Sequence, residues 1–134
     1  MDIRPLTDAY AVSPQISPED VPAIAAAGFR TVICNRPDVE VPPELRADAV
    51  GAAAMDAGLA FVVLPLTHDT LRGFAEEQAR AASDGPTLAY CASGTRSTVV
   101  WAIGQAGAMP ADEIVERAAR AGYDLSPLRP ELGG

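Results

Sequence analysis

The chain runs to 134 residues, with 49% hydrophobic and 21% charged residues and a formal net charge of -8. That is the profile of one globular domain, residues 1–134, able to bury most of its surface around a single core. All ten cationic residues are arginines scattered along the chain, so a polyanion meets repulsion and no basic patch, and no nucleic-acid partner is expected. No stretch is long and apolar enough to span a bilayer, and the opening MDIRPLTD has mixed charge without an apolar run, which predicts a cytoplasmic protein with no membrane partner.

Apolar runs of strand length alternate with helical stretches. Tyr10 to Pro14 is a short first strand. SPEDVPAIAAAG follows as a helix capped by Ser17, with Pro18 at its first position, Glu19 and Asp20 at its positive end and Gly28 as terminator. Arg30 to Asn35, RTVICN, is β-branched and continuously apolar, as in a strand buried on both faces. After the proline-rich RPDVEVPP, the alanine-rich stretch from Glu44 to Ala57 is helical and stops at Gly58. Ala60 to Leu66 is a further buried strand, THDTLRGFAEEQARAA a helix starting near Asp69 or Thr70, and DGPTLAYC a fourth strand. From Arg96, RSTVVWAIGQAGA is the most buried helix despite Val99 and Val100, with Trp101 in the core. MPADEIVERAARAG is a last, amphipathic helix and YDLSPLRPELGG a turn-rich closure. The alternation implies an α/β domain with right-handed crossovers, its central sheet of four mostly parallel strands flanked by helices.

The chemistry gathers in YCASGTRS, residues 90 to 97, between the fourth strand and the helix after it. In a parallel sheet the ligand site lies beyond the carboxyl ends of the strands, which is where Cys91 falls. The backbone N–H groups of Ala92, Ser93, Gly94, Thr95 and Arg96 can converge on one point, and the helix N-terminus adds positive potential. Gly94 permits the tight turn. The hydroxyls of Ser93, Thr95 and Ser97 are further donors, and the planar fork of Arg96 can hold a tetrahedral oxyanion with two hydrogen bonds. In such a field a thiol of ordinary pKa ~8.5 drops to roughly 3.5–7.5, so Cys91 is expected as a thiolate nucleophile.

Two cysteines, Cys34 and Cys91, are too few for a disulfide scaffold and wrongly spaced for zinc. Cys34 lies in an apolar strand and reads as inert filling. One His and dispersed acids give no metal cluster, and no cofactor is expected. Arg36, in CNRPD after the second strand, shares the site's edge; it either adds positive charge there or pairs with Asp38 or Glu40.

CASGTRS resembles the active-site loop of rhodaneses, which has the form Cys, four residues, Arg. VSPQISPEDVPAIAAAGFRTVICNRPD resembles the N-terminal part of the DUF442 family, also called the beta-lactamase-hydrolase-like phosphatase domain, and the similarity runs from about Ile3 to Tyr123. It implies a dual-specificity-phosphatase-like fold, and activity either as a sulfur transferase or as a phosphatase. Cysteine phosphatases usually have five residues between nucleophile and arginine and His before the Cys, whereas this chain has four and Tyr90. Many rhodaneses put a basic residue after the Cys, where this chain has Ala92. The shorter loop suits a persulfide, so the leading expectation is sulfur transfer through Cys91, from thiosulfate or another small sulfur donor to a thiol acceptor. The alternative is phosphoester hydrolysis through a Cys91 phosphocysteine. Its general acid is Asp69, at the carboxyl end of its strand, unless that residue only caps the following helix and His68 is a solvated loop residue. A third expectation is a non-catalytic anion-binding or redox-sensing module.

Overall fold

Mostly apolar segments at residues 10–13, 31–34 and 87–90 are buried at every position and lie side by side in the sheet, as expected of strands covered on both faces. The computed structural model describes residues 1–133. Its strands are β1 (Arg4–Pro5), β2 (Tyr10–Ser13), β3 (Thr31–Cys34), β4 (Ala60–Val63) and β5 (Thr87–Tyr90), in the spatial order β1-β2-β5-β3-β4. β2, β5, β3 and β4 are parallel, and β1 runs antiparallel to β2. The sheet therefore has five strands where the sequence predicts four. The extra one is two residues long and ends in Pro5, and a proline in an edge strand leaves no pattern to read.

The helices are α1 (Val21–Ala26), α2 (Ala47–Asp56), α3 (Ala75–Ala81), α4 (Thr95–Gln105) and α5 (Ala111–Arg120). Side chains alternate across the sheet with period two. Val12, Ile33 and Ala89 face Trp101 and Ala102 of α4, Ile114 of α5 and the tail. Ala11, Val32, Leu88 and Tyr90 face Ile24 of α1 and Val50 of α2. Each fully buried aliphatic side chain contributes about 1.5–3 kcal/mol, so both faces are needed to hold so small a sheet. Gly51 lets α2 lie against β4, since a Cβ there would stand 2.9 Å from the Phe61 ring.

Several expected elements shift: the helices expected after Ser17 and from Glu44 open as 3-10 turns, Pro18–Asp20 and Pro43–Leu45, and become α-helical at Val21 and Ala47. The apolar run from Ala60 is an edge strand that ends at Val63, with Ala60 and Val63 exposed, because hydrophobicity alone does not tell an edge from a centre. The helix expected near Asp69 begins as a 3-10 turn, Leu71–Phe74, and becomes α-helical only at Ala75. Thr67 and Thr70 exchange backbone-to-hydroxyl bonds of 3.0 and 3.2 Å, a local turn that competes with helix. Among the described residues no helix is long and apolar enough to cross a membrane.

Strand register positions the site. Ser13, Tyr90, Cys34 and Val63 lie in one row across the sheet, so the segments that follow β2, β5, β3 and β4 all leave from the same carboxyl edge.

Candidate active site

Cys91 follows β5 on that edge and is 1% exposed. Its neighbours hold the strand pairing beyond the sheet: Asn35 N–H donates to the Tyr90 carbonyl at 2.8 Å, and Gln15 N–H to the Ala92 carbonyl at 3.3 Å. The chain then turns at Gly94, whose φ of 91° is in the left-handed region, and enters α4 at Thr95. The Gly94 N–H donates to the Cys91 Sγ at 3.2 Å, while that of Thr95 turns to Ser93 Oγ at 3.5 Å. The Ser93 and Thr95 hydroxyls are exposed and bonded to each other at 3.0 Å.

Ser97 does not join them. It is fully buried and its hydroxyl donates to Asn35 Oδ1 at 2.9 Å. Two residues along a helix are about 200° around the axis, so a helix that presents Thr95 to the site turns Ser97 inward.

Arg96 is oriented by partners from two other loops. Its Nη1 donates to Glu40 Oε2 at 2.9 Å and to the Leu66 carbonyl at 2.8 Å, and its Nη2 to Glu40 Oε1 at 2.7 Å. A guanidinium has five N–H groups, two of them on Nη1. With both of those and one on Nη2 engaged, the Nε–H and the second Nη2–H remain, the adjacent pair that grips an oxyanion in bidentate fashion. The Arg96 pKa is raised, chiefly by the bond to Glu40 and in smaller part by the Cys91 sulfur. The Glu40 carboxyl is held below its usual range, first by the bond from Arg96 and then by Arg36.

Of the roles that the sequence offered, Arg36 takes the ion pair with Glu40. Its Nε donates to Glu40 Oε1 at 3.2 Å, its Nη2 to the Glu40 carbonyl at 3.3 Å and its Nη1 to Gln15 Oε1 at 3.2 Å. It thus joins the site through Glu40. Asp38 is elsewhere, accepting the Ala47 N–H at 2.9 Å at the start of α2. Asp69 is exposed in the turn after β4, three residues from the Leu66 carbonyl that meets Arg96. It does not cap a helix, since the Thr67–Thr70 exchange fills that place. His68 is exposed beside it.

Cys34 and Tyr90 point to the α1 and α2 face. The Cys34 thiol donates to the Arg36 carbonyl at 3.4 Å, and burial pushes its pKa up, which makes it a poor nucleophile.

Sequence reasoning missed three groups here. Glu40, expected only as a partner of Arg36, also holds Arg96; it lies six residues beyond β3, in a charged turn where nothing signals that contact. Below the loop, Ser97, Asn35, Gln78 and Tyr10 close a buried ring. Asn35 and Gln78 exchange amide bonds of 2.9 and 3.0 Å, Gln78 donates to Tyr10 Oη at 3.0 Å, and Tyr10 donates to the Ser97 carbonyl at 3.0 Å. A polar residue on a helix face gives no sign of such a ring beforehand. Behind the loop, Tyr123 Oη donates to the Ser93 carbonyl at 2.9 Å. Together these contacts present one backbone N–H and the free edge of a fixed arginine around a buried sulfur, an arrangement able to hold a tetrahedral anion against a nucleophile.

Comparison with known proteins agrees with the fold. Residues 2–108 match the family model described as beta-lactamase hydrolase-like protein, phosphatase-like domain. A beta-lactamase hydrolase-like protein of Xylella fastidiosa (strain Temecula1) is 33% identical over 132 residues, covering 93% of this chain and 30% of its own length. This chain thus spans about 30% of that relative. The crystal structure of a candidate phosphatase from Neisseria meningitidis Z2491 superposes with a TM-score of 0.85 at 34% identity, covering 98% of this chain and 96% of that one. The structure of PTPMT1, at 13% identity, gives a TM-score of 0.71 over 98% of this chain and 96% of its own, a likeness of fold.

Proposed function

The chain belongs to the family of the phosphatase-like domain of beta-lactamase hydrolase-like proteins, and from that membership we propose that it hydrolyses phosphomonoesters through Cys91. The observation that carries the reading is the spent face of Arg96: Glu40 and the Leu66 carbonyl take three donors and leave the Nε and Nη2 edge for an anion.

In the first step the Cys91 sulfur attacks phosphorus, the S–P bond forms and the ester P–O bond breaks. Asp69, protonated, gives its proton to the leaving oxygen. Arg96 and the Gly94 N–H hold the charge that spreads over the non-bridging oxygens. In the second step water attacks the phosphocysteine and passes a proton to the Asp69 carboxylate. The S–P bond breaks, and phosphate and the Cys91 thiolate are released. The fitting assay is turnover of an aryl phosphate. Cys91→Ser and Arg96→Ala should abolish it, and Asp69→Asn should lower it roughly a hundredfold. Turnover that survives Cys91→Ser would reject the mechanism.

One observation favours a second reading, sulfur transfer: only four residues separate Cys91 from Arg96, a loop shorter than the five-residue spacing usual in cysteine phosphatases, and the Gly94 N–H already meets the sulfur. In that reaction the Cys91 thiolate attacks the outer sulfur of thiosulfate, sulfite leaves, and the persulfide's outer sulfur passes to a thiol acceptor. Mass spectrometry after incubation with thiosulfate decides between the two. A gain of one sulfur that survives in Cys34→Ala and vanishes in Cys91→Ser, without aryl phosphate turnover, replaces the phosphatase reading. Sulfate binding with neither reaction leaves an anion-binding module.

A further inference from the structure

We propose that Tyr123 is a positioning residue that selects which way the Ser93–Gly94 peptide faces, and so whether the loop turns an N–H or a carbonyl oxygen toward the Cys91 sulfur. The two contacts involved belong to one peptide unit. The Ser93 carbonyl accepts from Tyr123 Oη at 2.9 Å, and the Gly94 N–H of the same unit donates to Cys91 Sγ at 3.2 Å. In a planar trans peptide these groups point in opposite directions, so holding the carbonyl on Tyr123 aims the N–H at the sulfur.

The backbone alone does not make this choice. Reversing the unit changes chiefly ψ of Ser93 and φ of Gly94, and glycine takes positive and negative φ about equally readily; here it stands at 91°. The reversed form would set a carbonyl dipole against a nucleophilic sulfur and against any bound anion. Tyr123 would then keep a hydroxyl without its acceptor, which disfavours the reversed form.

Tyr123 is itself held in place. It is 7% exposed, its backbone N–H donates to the Ala118 carbonyl at 2.8 Å, and its ring lies under the Arg4 guanidinium carbon at 5.2 Å from the centroid. Arg4 is fixed in turn by Asp2 at 2.7 and 2.9 Å and by the Ala121 carbonyl at 3.3 Å. The fit against the loop is close: a Cβ on Gly94 would fall 2.1 Å from the Tyr123 hydroxyl. Burial raises the Tyr123 pKa, against a smaller lowering by Arg4, so the hydroxyl remains a donor well into alkaline solution. The two-residue strand β1 and the segment after α5 therefore brace the loop from behind.

The inference rests on Cys91 as the nucleophile of the proposed function, and it holds for either transferred group. Its test reads the Gly94 amide directly, by NMR of the 15N-labelled protein, together with sulfate affinity by titration. Tyr123→Phe keeps the ring and deletes the hydroxyl. The Gly94 resonance should move or split in two, and sulfate affinity should fall about tenfold. Arg4→Met, at an exposed edge, should move both readouts the same way by less, and it carries the test if Tyr123→Phe does not fold. Val50→Ala, in the core of the opposite face, should lower stability and leave both readouts where they are. A wild-type Gly94 resonance and sulfate affinity in Tyr123→Phe would overturn the inference, whether or not any substrate is turned over. Both readouts shifting in a protein that turns over nothing would sustain the inference and reject the proposed function alone.

Discussion

Arg96 illustrates what single residues decide in this site. The loop contributes a guanidinium, and Glu40 supplies its direction, while Arg36 keeps Glu40 in place. Glu40→Gln retains the size and removes the charge that orients Arg96. Because it also removes a negative charge from beside the anion, the two effects separate in the kinetics. We expect kcat to fall roughly tenfold to a hundredfold, as small misplacements do, while KM holds or falls. A rise in KM with unchanged kcat would assign Glu40 to ground-state binding instead. The pH dependence has a definite sign. Glu40 has a depressed pKa in the folded chain, so its contribution to stability is fully present above the unfolded carboxylate pKa and is lost as pH falls through the lower, folded value. The difference in urea midpoint between wild type and Glu40→Gln should be constant from neutrality to about pH 5 and shrink only in more acid solution. The loop chemistry itself was legible in YCASGTRS because its residues are contiguous. Glu40 and Tyr123 were not, because nothing local in RPDVE or AGYD says that they meet the loop.

At the scale of elements, the ring through Ser97, Asn35, Gln78 and Tyr10 ties the first turn of α4 to β3, α3 and β2. All four residues are buried, and a buried amide that loses its partner costs about 1–3 kcal/mol. Asn35→Ala and Gln78→Ala should each destabilise by that order in urea denaturation. The double variant should cost clearly less than the sum, since the second change no longer strands a partner; additive costs would mean that the amides act separately. Periodicity placed the central strands and α4 correctly, since alternation and apolar runs are local properties. It overran β4, because exposure at an edge depends on which strand lies beside it. It also began the helix at Asp69 too early, because Thr67 and Thr70 satisfy each other's backbone first.

Over the whole molecule, a net charge of -8 surrounds the proposed anion site. In the proposed function the attraction is confined to Arg96 and one loop, and the long-range field would oppose a dianionic substrate. Screening should therefore help: kcat/KM for an aryl phosphate dianion is expected to rise as sodium chloride increases from low ionic strength to ~0.15 M, where the Debye length falls to about 8 Å. A fall over that range would mean that direct contacts govern association. By itself the sequence determined the α/β class, the order of the main elements, and the Cys91 to Arg96 loop at the carboxyl edge, because each depends on residues adjacent in the chain. The tertiary structure decided the antiparallel fifth strand, the inward turn of Ser97, the free edge of Arg96 and the direction of the Gly94 N–H. Each of these is set by partners brought from distant segments, and only the packed sheet brings those segments within hydrogen-bond distance of one another.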